Sequence, residues 1–436
     1  MRATTIRALD YWLGVPGTAL LTAVRRVLPE RSAAAPKKIL FLKFIEQGAT
    51  VLAQDAIARA TRAVGRDNVY FCVFESNRAI LDVIGTVPAA NVISIRDKAL
   101  TEFIVDFLGA ASTVRRHGID TVIDMEFFSR ASAIFAFLTG ASIRVGLHRF
   151  TGELPYRGNL MTHRIQYLPQ LHISVQYSVL VEAAFNPSSR GDEPAGPGGI
   201  GAFEPMLKVP LEHIRSTAQE APPAFTPSTA EIVSMRQRLG SPSGPVIVLN
   251  PNASDLLPLR KWETAKFGEL ARRILAAYPE SKIVLTGAPS ERGAADELIR
   301  SLNSDRVKSL AGETTLPELL TLYSLADVLV TNDSGPGHFA SLTPVHAIVL
   351  FGPETPRLFG PLGHPTTHSP RGGGPRAPAT TVIWKELACS PCVSVFNHRL
   401  SPCRNNVCMQ TITVDEVFEA VKAALEVPGP EITQNA

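Results

Sequence analysis

The chain has 436 residues, of which 45% are hydrophobic and 19% charged, with a net charge of +3. Its length favours two or three domains, and its apolar content suits large cores rather than disorder. The small net charge does not favour nucleic-acid binding. No apolar run reaches the roughly 18 residues of a membrane-spanning helix, and there is no clear secretory signal. We therefore expect a cytoplasmic protein.

The first 35 residues form a basic, amphipathic segment. Apolar residues recur at roughly helical spacing beside Tyr11 and Trp12, and Gly14 to Gly17 interrupts the pattern. The polar side carries Arg2, Arg7, Arg25, Arg26 and Arg31. Short segments of this kind can lie in a membrane interface. Residues 1–31 are thus expected either to touch the inner face of the plasma membrane peripherally or to pack as a helix on the protein itself.

From residue 37 the chain alternates strands and helices. The first series predicts strands at 38–43, 68–74, 92–95 and 121–124, with a helix over 51–63. The second series predicts strands at 245–250, 282–286, 327–331 and 347–351, and helices at 263–277, from Glu291 and from Leu316. Such βαβ series form parallel sheets with helices on both faces.

A stretch rich in proline and glycine separates the two series. The predicted organisation is an N-terminal segment at 1–35, a Rossmann-like domain at 36–185, a connection at 186–228, a second Rossmann-like domain at 229–426 and a tail at 427–436. The expected fold class is α/β, with two doubly wound parallel-sheet domains facing a central cleft, which is a favoured place for a binding site.

The most informative motif is the turn Asp333-Ser-Gly-Pro-Gly-His338, which follows an apolar strand. Phe339 to Leu342 then predicts the start of a helix. Ligands of parallel sheets bind beyond the carboxyl ends of strands, and helix N-termini favour phosphate. The turn is therefore predicted to bind a phosphorylated ligand, with Asp333 on its hydroxyls and His338 nearby. The alternative is an ordinary turn in which Asp333 caps the helix.

Three further strands of the second series end in polar turns. These turns are Asn250 to Ser254 followed by Arg260, then Gly287 with Glu291, and then Gly352 to Thr355. Arg260 can bind phosphate bidentately, and the Glu291 carboxylate can accept from a ribose diol. The four strand ends predict a nucleotide site without a Walker loop. The alternatives are a surface cation for Arg260 and a carboxylate favoured by the helix dipole for Glu291.

Several motifs together resemble glycosyltransferase family 9, the family of ADP-heptose:lipopolysaccharide heptosyltransferases. The matching segments of the second half are 333–340, 350–353, 260–262, 284–287, 310–312 and 408–412, and those of the first half are 122–124, 129–130, 137–140 and 144–146. The resemblance covers roughly residues 37–425 and is most specific in the second half.

The resemblance implies a GT-B architecture with an N-terminal acceptor domain and a C-terminal donor domain. It implies an inverting transfer that needs neither metal nor cofactor, with ADP-heptose as the favoured donor and a lipopolysaccharide-core or other lipid-linked glycan as acceptor. The donor-binding residues so implied are Ser254, Arg260, Thr286, Gly287, Glu291, Asp333, Ser334, Gly335, Pro336 and His338.

The resemblance also assigns roles within that set. Asp333 would hold sugar hydroxyls and act as a catalytic residue, while Arg260, Ser254 and the backbone of Ser334 and Gly335 would bind the diphosphate. Glu291 would take the ribose, and His338 would lie near the phosphates. The family usually has lysine at the position of Arg260, so the positive charge is kept.

The proposed catalytic base is a departure from the family. In the family, an aspartate after the first strand deprotonates the acceptor hydroxyl, whereas this chain has Ala49 at that position. Inverting transfer needs a base on the acceptor side. Glu46 in the same loop is the predicted substitute, and Asp55 is a weaker candidate. The alternative is that Glu46 is only a loop carboxylate and that another base is used or the protein is inactive.

Four of the five cysteines are clustered as Cys389-x2-Cys392-x10-Cys403-x4-Cys408, with His398 between them. Such spacing can bind structural zinc. Similar cysteines in the family do not imply metal, so paired or free thiols are the alternative. Cys72, within an apolar strand, is expected to be a buried small hydrophobe.

Acceptor recognition is expected in the loops of the first domain. Phe150, Tyr156 and the arginines of segment 149–157 are a hypothetical contact for a phosphorylated glycan, and a solvated loop is the alternative. Two other functions remain open, namely a sugar-nucleotide epimerase of the same architecture and a non-catalytic sugar-nucleotide or glycan-binding protein, which the alanine at position 49 makes credible.

Overall fold

The computed structural model describes residues 8, 10–27, 35–148, 157–186, 210–216, 224–253, 257–363, 379–397 and 399–426. The chain divides into two units, Met1–Glu220 and Ala221–Ala436. The predicted connection at 186–228 holds a short helix, Leu211–Ser216, and otherwise falls largely outside the described residues, as do Ser254, His398 and the tail.

The first unit alternates strands and helices after an N-terminal helix. Its strands are β1 Ile39–Leu42, β2 Val69–Phe74, β3 Val92–Ile95, β4 Thr121–Asp124, β5 Ile143–His148 and β6 His163–Gln166. Its helices are α1 Gly14–Val27, α2 Gln47–Leu52, α3 Gln54–Val64, α4 Ala79–Ile84, α5 Leu100–Arg116, α6 Arg130–Leu138, α7 Ile173–Phe185 and α8 Leu211–Ser216. The strands form one parallel sheet in the order β3-β2-β1-β4-β5-β6.

The second unit repeats this plan. Its strands are β7 Val246–Asn250, β8 Lys282–Leu285, β9 Val307–Ser309, β10 Val328–Asn332, β11 His346–Phe351 and β12 Thr380–Trp384. Its helices are α9 Thr229–Leu239, α10 Thr264–Ala277, α11 Arg292–Leu302, α12 Leu316–Leu325, α13 Gly335–Ala340, α14 Pro356–Phe359, α15 Val407–Gln410 and α16 Val414–Glu426. The parallel sheet has the order β12-β11-β10-β7-β8-β9.

The central strands are apolar because helices cover both faces of each sheet. Every residue of β1 and of β10 is buried. The prediction of two doubly wound α/β domains is confirmed. In each sheet the chain order reverses between two central strands, β1 with β4 and β7 with β10, and ligands of such sheets bind in the crevice at that point.

The sequence-based boundaries needed two corrections in the first unit. The helix predicted over 51–63 is two helices, α2 and α3, which meet at Ala53. The predicted interruption at Gly14 to Gly17 lies slightly earlier, since helical residues 10–12 end in a turn at Leu13 and helix α1 begins at Gly14. Strands β5, β6, β9 and β12 were not among the predicted strands, since they are short or interrupted by polar side chains.

Helix α1 packs on α6 through small residues. A Cβ atom on Gly14 would lie 2.7 Å from the Cβ of Arg130, so this contact requires glycine. The Asp10 carboxylate accepts from the backbone N–H of Arg130 at 2.9 Å and of Ala131 at 3.0 Å. The buried Arg25 donates to the carbonyls of Asn159 and Met161. None of the helices within the described ranges has the length and apolar content to cross a bilayer.

Candidate functional site

A cavity of about 350 Å³ lies at the carboxyl ends of the second sheet. Its walls come from the turns after β7, β8 and β10, together with the loop after β9. The lining residues are Asn250, Asn252, Ala253, Thr286, Gly287, Ala288, Pro289, Glu291, Thr314, Thr315, Leu316, Leu319, Ser334, Gly335 and Pro336. The cavity therefore brings together six residues of the predicted donor-binding set: Thr286, Gly287, Glu291, Ser334, Gly335 and Pro336.

Sequence reasoning missed one wall of this cavity. Thr314 lines it from the loop before α12, and Leu316 and Leu319 line it from the first turn of that helix. These residues carry no charge or motif, and only their place after β9 brings them to the cavity. Together with Pro289 they supply apolar surface, which suits the flat face of a nucleotide base.

Asparagine amides tie the strand ends together beneath the cavity. The Asn250 amide donates to the Thr286 carbonyl at 3.2 Å, which joins β7 to β8. The Asn332 amide donates to the Asn252 carbonyl at 3.0 Å, which joins β10 to β7. Because buried amides need partners, these hydrogen bonds fix the relative positions of the three turns.

Gly287 provides a close approach within the cavity. A Cβ atom there would lie 2.7 Å from the Asn252 side-chain nitrogen and 2.8 Å from a Glu291 carboxylate oxygen. Glu291 ends a short 3-10 helix, and its Oε2 accepts from the Ala288 N–H at 2.6 Å. Glu291 is thus both a capping carboxylate and a lining residue, so both predicted roles are compatible with its position.

The signature turn differs from its prediction at the helix start. Helix α13 begins at Gly335, inside the motif, and ends at Ala340 instead of starting at Phe339. Its N-cap is Ser334 and no side chain caps it, so the interpretation of Asp333 as a helix cap is wrong. A six-residue helix has a small dipole, so the helix N-terminus offers less positive charge at this turn than the sequence suggested. His338 lies in this helix but does not line the cavity.

Asp333 instead forms a buried ion pair with Arg260. The Arg260 Nε lies 3.1 Å from the Asp333 Oδ2, and Asp333 is buried. Burial raises the pKa of the Asp333 carboxyl, while the guanidinium opposes this shift. The interpretation of Arg260 as an ordinary surface cation does not hold, because its side chain is only 14% exposed.

Glu354 is a second buried carboxylate on the same guanidinium, and the sequence analysis did not single it out. Its Oε2 pairs with the Arg260 Nη2, and its Oε1 lies 3.6 Å from the Arg399 Nε. Burial raises the pKa of Glu354 to about 7, although Arg260 lowers it. Its place just after β11 and next to the matching segment 350–353 could have indicated a site residue.

The C-terminal motif supports the turn that carries Arg260. The Asn406 amide donates to the carbonyls of Leu259 and Lys261, each at 3.0 Å. The buried Trp262 donates from its ring nitrogen to the Ile412 carbonyl at 3.0 Å. The motif around Cys408 therefore helps to position Arg260, because it holds the residues on both sides of it.

The clustered cysteines belong to this supporting segment. The five cysteines form no disulfide, and within the described ranges no three side chains of His, Cys, Asp or Glu are grouped so as to hold a metal ion. Cys408 and Met409 pack against Gly352, where a Cβ atom would lie 3.1 Å from the Cys408 sulfur. Structural zinc remains a prediction that a metal assay on the purified protein would test. Cys72 is buried within β2, and burial raises the pKa of its thiol.

The first unit has its own charged cluster at the carboxyl ends of β1 and β4. Lys43 follows β1 and is fully buried, with its ammonium nitrogen 3.2 Å from the Glu46 Oε2 and 3.0 Å from the Glu126 Oε2. Glu126 also accepts from the Phe44 N–H at 2.6 Å. Sequence reasoning found Glu46 but missed Lys43 and Glu126, whose pairing follows from the adjacency of β1 and β4 in the sheet.

Glu46 and Asp55 are about equally exposed but differ in their partners. Glu46 has a left-handed backbone, with φ of 71°, and its side chain is 20% exposed. Asp55 is bound within the unit, since it pairs with Arg59 at 3.3 Å and accepts from the Ser178 hydroxyl at 2.6 Å. Ala49 lies in α2 and has no group that could accept a proton.

Arg157 fits neither the hypothetical contact with a glycan nor the alternative of a solvated loop. It is buried, its Nη2 pairs with the Asp124 carboxylate, and its Nη1 donates to the Leu147 carbonyl at 2.9 Å. The guanidinium thus holds β4 to β5, because Asp124 would otherwise be a buried unpaired charge. Residues 149–156 lie outside the described ranges.

The two doubly wound parallel-sheet units and these strand-end turns are those of the GT-B fold class. Residues 109–395 match the family model for glycosyltransferase family 9 (heptosyltransferase). Because that match spans more than half of the chain, the protein belongs to glycosyltransferase family 9.

Two curated relatives are heptosyltransferases. The chain is 32% identical over 124 residues to lipopolysaccharide heptosyltransferase 2 of Salmonella typhimurium, a match to 28% of this chain and 34% of that protein. It is 24% identical over 180 residues to lipooligosaccharide heptosyltransferase 2 of Campylobacter jejuni, a match to 41% of this chain and 50% of that protein. The chain thus spans about a third to a half of the length of these relatives.

Solved structures agree on the fold. The ADP-heptose lipopolysaccharide heptosyltransferase II of E. coli superposes with a TM-score of 0.62 and 20% identity, covering 89% of this chain and 98% of that one. A family 9 glycosyltransferase of Veillonella parvula gives a TM-score of 0.62 and 15% identity, covering 90% of this chain and 98% of that one.

Proposed function

We propose that the protein is an inverting, metal-independent glycosyltransferase that moves a sugar from a nucleotide donor, with ADP-heptose favoured, to a lipopolysaccharide-core or other lipid-linked glycan. The observation that carries this proposal is the contact of Arg260 with the signature turn of a family 9 chain, since Ser334 and Gly335 of that turn line the strand-end cavity. Its guanidinium adjoins the turn Asp333 to Gly335, where a donor diphosphate would lie.

On the donor side, each group has a role that its chemistry suits. The base and ribose would occupy the cavity, with Glu291 accepting from the ribose hydroxyls. The diphosphate would bind Arg260 and the backbone N–H groups of Ser334 and Gly335. The guanidinium and backbone N–H groups would donate hydrogen bonds to the diphosphate as it leaves with the electrons of the glycosidic bond. Asp333, close to this point, would hold hydroxyls of the sugar.

On the acceptor side, Glu46 is the proposed base. The acceptor hydroxyl attacks the anomeric carbon as the bond to the diphosphate breaks, and its proton passes to the Glu46 carboxylate. Lys43 holds that carboxylate in place. Since the acceptor carries a lipid, the proposed site of action is the cytoplasm at the inner face of the plasma membrane.

A nucleotide panel is the most direct test. A bound ligand raises the melting temperature by mass action, so ADP, UDP, GDP and CDP are compared by thermal shift on the wild type and on Arg260→Lys. We expect the largest shift with ADP and a smaller one in the variant, because lysine loses the bidentate geometry. Preference for another nucleotide would contradict the heptose assignment.

A turnover assay separates the remaining functions. The protein is incubated with ADP-heptose, with and without a lipopolysaccharide-core acceptor. Transfer that depends on the acceptor supports the proposal. Conversion of the sugar nucleotide without acceptor would favour an epimerase, and binding with no turnover would favour a non-catalytic protein.

A further inference from the structure

Exposed apolar side chains are concentrated on two helices of the first unit. Of the fourteen large hydrophobic residues exposed in the described part of the chain, ten lie on α1, on the turn before it or on α5. They are Tyr11, Trp12, Leu13, Val15, Leu20, Val27, Leu100, Ile104, Val105 and Leu108. Trp12 is 74% exposed and Val105 is 65% exposed, so neither is covered by the protein itself. Exposed apolar residues clustered in this way mark an interaction surface.

The two helices flank the same neighbour. Helix α1 packs on one side of α6, where a Cβ atom on Gly17 would lie 3.1 Å from Ile134. Helix α5 packs on α6 through Phe107, whose ring centroid lies 5.0 Å from that of Phe135. One face of each helix therefore packs in the core of the unit. The exposed apolar residues named above lie on the opposite faces.

The charges on these helices favour a negatively charged partner. Both carboxylates of α5, Glu102 and Asp106, are paired with Arg96, and Asp10 is held by Arg130. The last turns of the two helices carry exposed arginines: Arg26 on α1, and Arg115 and Arg116 on α5. Because Glu102 and Asp106 share one guanidinium, the excess positive charge of this surface lies at the last turns of the two helices.

We propose that α1 with its preceding turn and α5 form one docking surface for an anionic phospholipid bilayer. Apolar side chains beside arginines, with a tyrosine and a tryptophan among them, have the composition that lies in a membrane interface. The arginines add electrostatic attraction to acidic headgroups. This inference rests on the proposed function, since a lipid-linked acceptor lies in a bilayer. It extends the expected contact from the N-terminal segment to α5.

The test is vesicle co-sedimentation of the full chain without donor or acceptor. Vesicles of phosphatidylcholine alone are compared with vesicles of equal parts phosphatidylcholine and phosphatidylglycerol. We expect binding to the mixed vesicles that weakens with salt. The double variants Trp12→Ser with Leu13→Ser, and Val105→Ser with Leu108→Ser, should each bind at least ~10-fold more weakly, because each loses apolar surface from the interface.

The matched control is Val233→Ser, an exposed valine on α9 in the second unit, which should bind as the wild type does. All variants should keep the wild-type thermal shift with nucleotide, which shows that they fold. Absence of vesicle binding by the wild type, or binding by the α5 double variant at the wild-type level, would overturn the proposal.

A second copy of the chain is the competing occupant of this surface. Sedimentation velocity would reveal it as a concentration-dependent dimer that the same double variants abolish, and such a result without vesicle binding overturns the bilayer proposal. Vesicle binding by a protein that transfers no sugar would instead retain the docking surface and contradict the proposed function.

Discussion

Lys43 and Glu46 form an ion pair of 3.2 Å beside the end of β1, and the same ammonium group lies 3.0 Å from Glu126. Two carboxylates therefore share one buried cation. Glu46 is the more exposed of the two, whereas Glu126 accepts hydrogen bonds from the backbone N–H groups of Phe44 and Ile45. This arrangement leaves Glu46 as the more accessible carboxylate of the cluster.

Glu46→Gln should lower turnover by about 100-fold or more, since general-base catalysis contributes at least that much. The variant keeps the size of the side chain, so donor binding should be unchanged. The assay measures transfer to acceptor at saturating donor. Asp55→Asn is the comparison, because that carboxylate is bound by Arg59 and Ser178, and turnover per folded molecule should persist. Unchanged turnover in Glu46→Gln would remove this residue from the mechanism.

Lys43→Met should destabilise the first unit by about 3–5 kcal/mol, because it leaves the buried Glu126 and its neighbour Glu46 without their cation. Urea denaturation at neutral pH measures the free energy of unfolding. Lys37→Met, at an exposed lysine six residues earlier, should change that free energy by about 0.5 kcal/mol or less. Equal stabilities of the two variants would mean that the buried pairs contribute little.

The second unit should lose stability as the pH rises towards neutrality. Glu354 has a pKa raised from 4.5 to about 7 by burial, so the folded state holds a proton that the unfolded state has released. Its stabilising contribution is complete below pH 4.5 and is lost by about pH 7, a change of about 3 kcal/mol. Urea titrations across this range measure it.

Glu354→Gln is the matched variant for that prediction. A glutamine cannot titrate. The free energy of unfolding of the variant should therefore fall less steeply than that of the wild type between pH 4.5 and about 7. The buried Asp333, whose pKa is also raised, accounts for the slope that remains. Parallel pH profiles of the wild type and the variant would show that Glu354 does not hold the proton.

Gly287→Ala should weaken nucleotide binding by about 10-fold with little effect on stability. The added methyl group displaces the Asn252 amide and the Glu291 carboxylate, which are flexible ends of side chains at the cavity. Isothermal titration with ADP measures the affinity. Gly293→Ala is the control, because a Cβ atom there meets nothing within 4 Å, and it should bind ADP as the wild type does. Equal affinities would remove Gly287 from the nucleotide site.

The sequence predicted eight of the twelve described strands, those whose uninterrupted apolar runs are bounded by polar turns. Strands β3 and β4 have the predicted limits, and a site at the carboxyl ends follows from any parallel sheet. The cavity accordingly contains Gly287, Glu291 and Gly335.

The charge pairs could not be predicted in the same way. Arg260 and Glu354 are 94 residues apart, and Lys43 and Glu126 are 83 apart. Each pair depends on which strands become neighbours in the sheet. The local pattern of apolar residues does not reveal that strand order. The burial of Arg157 was missed for the same reason, since its partner Asp124 is on a different element.

The two sheets share one strand order, so each unit has its own crevice beside two central strands. Each half uses the crevice beside its two central strands, one furnished with carboxylates around a lysine and the other with carboxylates around an arginine. Because each crevice is built from the turns of its own sheet, a mutation that alters one need not disturb the core of the other. Under the proposed function, the preference for the acceptor and the preference for the donor can therefore change independently during evolution.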